Sequence, residues 1–246
     1  MIQTALTLAQ SRPLTADVWE MAFLGDTEAF SRPGQFVNIE LPGKFLRRPI
    51  SVANYTEEGL LLLVRVAGQG TAELVASPVG TRFNTLTGLG NGFDVSEQGE
   101  HPVLIGGGIG IAPLYGLARK MVGLGQRPTV ALGFRNQNDV FYAEEFALLG
   151  CQVFVATEDG SLGTKGFVTD CVKNFVPEAD YAFACGPTPM LKAVCAVPQL
   201  KGGQFSFEAR MACGFGACVG CTIQTNSGPK RVCKDGPVFR KEDIAW

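Results

Sequence analysis

The chain has 246 residues, is 46% hydrophobic and only 18% charged, and carries a formal net charge of −2. That length allows one large domain or two small ones with an appendage, and the near-neutral balance excludes a general attraction to nucleic acid or anionic lipid. Glycine, proline or charge interrupts every apolar run before about 18 residues, and residues 1–8 read as an alternating strand rather than a secretion signal, so a soluble cytoplasmic protein is expected.

Residues 1–98 read as β structure. Short runs at 18–24, 35–41 and 60–66 are punctuated by Gly25-Asp26, Pro33-Gly34, Pro42-Gly43 and Glu58-Gly59, which points to an antiparallel barrel or sandwich. One helix is expected from Gly70-Thr71 through Glu73 and Leu74. The pattern changes near His101-Pro102, where the continuous apolar strand 103–105 leads into a glycine-rich turn and a helix through Met121. Strands at 129–133, 153–156 and 181–184 then alternate with helices at 143–149, 168–175 and 190–194. Apolar strands alternating with helices mean a parallel α/β sheet. After Lys201-Gly202-Gly203 the chain turns cysteine- and glycine-rich. The expected organisation is a β barrel over 1–98, an α/β nucleotide domain over 99–203 and a small cysteine-bearing domain over 204–246.

Eight cysteines could signal disulfides, but their distribution argues for a metal site. Cys151, Cys171, Cys185 and Cys195 are scattered through strand- and helix-like segments, where a small buried residue is the plain reading. Cys213, Cys218, Cys221 and Cys233 follow one another with gaps of four, two and eleven residues. The first three match the plant-type ferredoxin run, with a fourth cysteine beyond, and predict a [2Fe–2S] cluster. Glycines at 214, 216 and 220 would let the loop aim N–H groups at the sulfurs. Structural zinc also takes four thiolates, although zinc ribbons usually show two close pairs.

Two turns sit where a nucleotide would bind. Gly106, Gly107, Gly108, Ile109 and Gly110 follow a strand and open a helix, a placement suited to a phosphate or to a tight structural turn. Cys185, Gly186 and Pro187 end the strand 181–184 at the carboxyl edge, where open α/β sheets bind ligands. In the barrel half, Arg48, Pro49, Ile50 and Ser51 offer a guanidinium for a phosphate and a hydroxyl for a ring edge, or simply form a strand-edge turn. Leu63, Val64 and Arg65 precede Gly70 and Thr71, whose helix start would present N–H groups to a pyrophosphate.

These signatures resemble the ferredoxin reductase superfamily, in the order flavin barrel, nicotinamide domain, iron–sulfur tail. With Met211-Ala212-Cys213-Gly214 the whole chain is similar to the electron-transfer subunits of the NAD-linked dihydroorotate dehydrogenases. The resemblance implies FAD held by residues 48–51, 63–65 and 70–71, and NAD at the glycine-rich turn and at Cys185, Gly186 and Pro187. Hydride would enter beside Cys185, which it makes the candidate catalytic residue. It also implies an FMN-bearing catalytic partner in a heterotetramer with two copies of each chain. Electrons would pass from dihydroorotate through that FMN, the cluster and FAD to NAD⁺, in pyrimidine biosynthesis. Similar subunits serve NADH-dependent ferredoxin:NADP⁺ oxidoreductases, sulfide dehydrogenase-like complexes and some hydrogenases, and a zinc-stabilised nucleotide-binding module is the reading from another class. Arg135 could meet a 2′-phosphate or be a solvated strand-end arginine, which leaves NAD against NADP open. Phe239 and Trp246, beside Lys234, Arg240 and Lys241, could form a docking surface or pin the C-terminus.

Overall fold

In the computed structural model, which describes residues 1–246, the alternating N-terminal runs close into an antiparallel barrel. Its strands are β1 (Ile2–Pro13), β2 (Val18–Leu24), β3 (Phe36–Ile39), β4 (Arg48–Tyr55), β5 (Gly59–Arg65) and β6 (Arg82–Leu89). Their order around the barrel is β1-β2-β5-β4-β3-β6. Strand β5 shows how period-2 alternation sorts side chains. Leu60, Leu62 and Val64 point into the barrel core, while Leu61 and Leu63 face the second half of the molecule. Helix α1 (Gln69–Val75) follows and covers the barrel with Leu74 and Val75.

The second half is a sheet of seven strands. The first six in chain order are β7 (Pro102–Gly107), β8 (Thr129–Phe134), β9 (Gln152–Thr157), the short β10 (Thr164–Lys165), β11 (Tyr181–Cys185) and β12 (Gly202–Ser206), and the seventh comes from the tail. Helices α2 (Ile111–Gly123), α3 (Ala143–Leu148), α4 (Val168–Phe175) and α5 (Thr188–Cys195) connect them. Both faces are covered, which is why these strands read as continuous apolar runs. Val103 and Ile105 pack with Val172, Leu191 and Val194 of α4 and α5, whereas Leu104 packs with Leu114, Leu117 and Met121 of α2. Cys151 and Cys171 are buried in these cores, as their plain reading anticipates.

The tail forms a hairpin of β13 (Thr222–Thr225) and β14 (Gly228–Arg231), then returns as β15 (Val238–Arg240) to pair antiparallel with β12. The sheet order is β10-β9-β8-β7-β11-β12-β15. This return corrects one reading of the tail. Phe239 is buried, edge-on to Phe207 at 6.0 Å, and Trp246 leans on the same ring at 5.7 Å. Phe239 therefore pins the tail and is not part of an exposed docking face.

Candidate active site

The sheet order reverses between β7 and β11, since β8 lies on one side of β7 and β11 on the other. Such a switch point opens a crevice at the carboxyl ends of its two strands. The glycine-rich turn after β7 and the Cys185 turn after β11 meet there, with Gly106 opposite Cys185 in the register. A Cβ on Gly110 would stand 2.4 Å from the Cys185 carbonyl oxygen, and one on Gly107 would stand 2.4 Å from the Met190 sulfur. Glycine is thus required first so that the two turns can touch. Gly106 packs on Ile111 behind them, while Gly107 and Gly108 line the crevice itself.

One cleft, of about 350 Å³, lies between the barrel and this crevice. Pro49, Ile50, Ser51, Leu63, Arg65 and Thr71 line it from the barrel, and Ile109 and Cys185 from the two turns. Phe207, Glu208 and Met211 complete it from the segment leading to the clustered cysteines. Arg48 stands at its rim, its Nε 2.2 Å from where a Gly70 Cβ would be, so only glycine admits the guanidinium over the start of α1. The first-turn N–H groups of α1 have no helical partner. The Thr71 hydroxyl is already engaged, accepting from the Ala67 and Gly68 N–H groups at 2.9 and 3.2 Å. The Val64 side chain is in the barrel core, so only its backbone can serve the cleft.

Two further groups set the electrostatics of this cleft. Arg65 lies between Asp17, whose Oδ2 is 3.3 Å from its Nε, and Gly108, which takes a φ of 52° beneath the guanidinium. Its buried Nε has no aligned hydrogen-bond acceptor, although it is within ion-pair range of Asp17. Glu208 faces the open cleft, but the protein packed around it raises its carboxyl pKa, with Arg65 acting against that rise. Burial also pushes the Cys185 thiol up, Glu208 adds to this, and a hydrogen bond with Ser206 opposes it. Cys185 is therefore a neutral wall. An apolar-lined cleft with an arginine over a glycine helix start and a second arginine at its edge fits a flavin dinucleotide.

The four clustered cysteines come together as two pairs. The Sγ atoms of Cys213 and Cys218 are 3.4 Å apart, and the Cys218 N–H donates to Cys213 Sγ at 3.4 Å. In the other pair the Cys233 N–H donates to Cys221 Sγ at 3.4 Å. Two pairs of thiols suit two irons. Burial works against the Cys213 thiolate, but N–H groups of Cys218, Phe215 and Gly216 outweigh it and hold its pKa down at about 6. Burial and then the neighbouring Cys221 push Cys233 up to about 12. The loop is fixed to the barrel by Asn38, whose Nδ2 donates to the Cys213 carbonyl at 3.0 Å.

A second cleft, of about 540 Å³, runs from Gly107, Gly108, Pro187 and Met190 out to Arg135, Asp139, Glu158 and Phe167. Its length along the strand ends suits an extended dinucleotide, and Phe167 presents a ring that is 64% exposed at its mouth. Sequence reasoning named the turns, and Met211 only as part of the tail signature, but missed Asn38, Glu208, Asp139, Glu158 and Phe167. Only Asn38 left a signal, as a polar residue inside the apolar run Phe36–Ile39.

A family model described as the iron–sulfur cluster binding domain of dihydroorotate dehydrogenase B matches residues 208–245, and one for the oxidoreductase NAD-binding domain matches 104–196. The chain is 42% identical to a Shouchella clausii protein named dihydroorotate dehydrogenase B (NAD(+)), electron transfer subunit, with 96% of each covered. A protein of the same name from Listeria monocytogenes is 40% identical with 100% of each covered. Among solved structures, that of an NADH-dependent reduced ferredoxin-NADP oxidoreductase superposes with a TM-score of 0.87 at 30% identity, covering 98% of this chain and 90% of that one. The cytochrome b5 reductase domain of Ulva prolifera nitrate reductase shares the fold, with a TM-score of 0.67 at 18% identity, over 81% of this chain and 92% of its own. Full-length similarity of this degree, with the match of residues 208–245 to the iron–sulfur cluster binding domain, places the chain in the family of dihydroorotate dehydrogenase B (NAD(+)) electron transfer subunits.

Proposed function

We propose that this chain carries electrons from the FMN of a dihydroorotate-oxidising catalytic subunit to NAD⁺, through a [2Fe–2S] cluster and FAD, in pyrimidine biosynthesis. The observation that carries this reading is the shared cleft: barrel residue Ser51, nicotinamide-turn residue Cys185 and Met211, two residues before the cysteine loop, line one cavity. When bound, a flavin there exchanges electron pairs with a nicotinamide and single electrons with a cluster, the conversion such a chain exists to perform. Arg48 and the start of α1 would hold the flavin's phosphates, and Ser51 would offer its hydroxyl to the ring. Arg65 borders both clefts and supplies positive charge where two pyrophosphates approach. Cys185, uncharged and without room to move, sets the face on which nicotinamide and flavin meet. Cys213, Cys218, Cys221 and Cys233 hold the irons.

No helix is long and apolar enough to cross a membrane. A cytoplasmic location and a heterotetramer of two chains of each kind complete the proposal, as does the division into residues 1–98, 99–203 and 204–246. The test mixes the loaded chain with the FMN-containing subunit from the same organism. Reduction of NAD⁺ by dihydroorotate should need both chains and fall to background with Cys218→Ser, while Cys171→Ser retains it. Iron and acid-labile sulfide should each be near two per chain, and one zinc without sulfide would overturn the reading. A second reading, favoured by the TM-score of 0.87, gives the same chemistry to a ferredoxin-dependent partner. The partner that co-purifies from the native cell decides between them.

A further inference from the structure

The ends of β8 and β9 set three charges side by side in the nucleotide cleft. Phe134 faces Thr157 in the register, so the next residues, Arg135 and Glu158, leave the sheet together. The Glu158 N–H donates to the Phe134 carbonyl at 3.1 Å and keeps that exit closed up. A turn at Gln137–Asp139 then brings Asp139 back beside the arginine. Arg135 Nε donates to Asp139 Oδ2 at 2.9 Å, and Asn136 Nδ2 donates to the same oxygen at 3.3 Å. Asp139 is thereby fixed, its side chain 21% exposed, while that of Arg135 is 70% exposed.

The consequence is a matter of charge. One guanidinium against two carboxylates leaves this end of the cleft negative, since Arg65 sits at the far end beside Gly108 and Asp17. A ribose diol brings two hydroxyl donors, which carboxylate oxygens accept. A 2′-phosphate brings about −1.5 to −2 charge and meets two carboxylates and an arginine already neutralised. We infer that Asp139 and Glu158 together make the chain select NAD over NADP, Asp139 by occupying Arg135 and Glu158 by repelling a 2′-phosphate, so that Arg135 is a latent phosphate ligand. This rests on the second cleft being the pyridine-dinucleotide site.

The test is calorimetric titration of the FAD- and cluster-loaded chain with ADP-ribose and with 2′-phospho-ADP-ribose, which needs no hydride transfer. The proteins are the wild type, Asp139→Asn/Glu158→Gln, and that double variant with Arg135→Ala added. The substitutions of the acids are isosteric and lie at the rim, and circular dichroism checks the fold. The wild type should prefer ADP-ribose. The double variant should gain about tenfold or more in affinity for the phosphorylated probe, equivalent to about 1.4 kcal/mol, and Arg135→Ala should remove that gain. NADPH and NADH oxidation with ferricyanide should follow the same order. An unchanged preference in the double variant, or a gain that survives Arg135→Ala, overturns the inference while leaving the dinucleotide site standing. Failure of the wild type to bind either probe overturns both.

Discussion

The flavin cleft draws its walls from three separate stretches of the chain, whereas the nucleotide cleft is cut mainly from the carboxyl edge of one sheet and the turns that follow it. The first depends on how barrel, sheet and tail are held together. Tyr142 contributes to that, donating to Glu20 Oε2 of the barrel at 2.6 Å while Glu20 also accepts from Arg12 at 2.6 Å. The second depends on a few side chains at strand ends, which can change without disturbing the frame. A cofactor kept for the life of the protein and a substrate exchanged at every turnover place different demands on their sites. On the proposed assignment, the architecture answers them with an interfacial seat for the one and an open edge for the other.

The most damaging way to test this contrast is at the point where the two turns behind the clefts touch. Gly110→Ala puts a Cβ 2.4 Å from the Cys185 carbonyl oxygen, an overpacking expected to cost about 1–3 kcal/mol of stability. Because it spreads both turns, FAD retention and the KM for NADH should worsen together; thermal melts and diaphorase kinetics check this, and damage to one alone would break the comparison. Arg48→Ala touches only the flavin side. Loss of a charge-assisted phosphate contact should weaken FAD by about 1.5–3 kcal/mol, about 10- to 150-fold, seen as release on gel filtration at low concentration. The nucleotide KM of the FAD-saturated variant should hold.

Phe167→Ala touches only the other cleft. If its exposed ring stacks on adenine, the loss is about 1 kcal/mol, or about fivefold, equal for ADP-ribose and its 2′-phosphate, with flavin binding intact. The smallest effect is a pH dependence. Although Glu208 opens to the cleft, the protein packed around it raises its carboxyl pKa above the ordinary value, with Arg65 opposing. A raised folded-state pKa contributes stability below the unfolded value and loses it as pH rises through the folded one. Glu208→Gln does not titrate, so its melting temperature should gain on the wild type as pH rises above about 4, the ordinary glutamate range. A constant difference across that range would remove Glu208 from the electrostatics of the cleft.

The parts of the site legible in the sequence are those made by local turn chemistry. A glycine-rich turn between strand and helix, a strand-ending Cys185-Gly186-Pro187 and closely spaced cysteines each announce themselves within a few residues. The doubly covered sheet is legible for the same reason, as apolar runs at strand length. What was illegible is what distant segments supply. Glu208 and Met211 acquire meaning only when the segment after β12 is laid along the barrel, and Asn38 only when the Cys213 carbonyl arrives beside it. Strand β15 is three residues long, too short for periodicity to mark, and its partner β12 carries two glycines. The aromatic pair at the C-terminus was legible as aromatic but not as to which way it faced.

The return of β15 to the sheet has a further consequence. Asn91, in the connection from barrel to sheet, takes a hydrogen bond from the Val238 N–H at 3.1 Å and gives one to the Val238 carbonyl at 2.8 Å. Gln204 of β12 faces Arg240 in the same pairing. The cysteine module is therefore sewn into its host at both ends and is not a detachable cassette. Transplanting it onto another reductase would strip an edge strand from the donor and deliver an unpaired one to the recipient. Shuffling of such modules between redox proteins has to carry the hem of the sheet along with the metal loop.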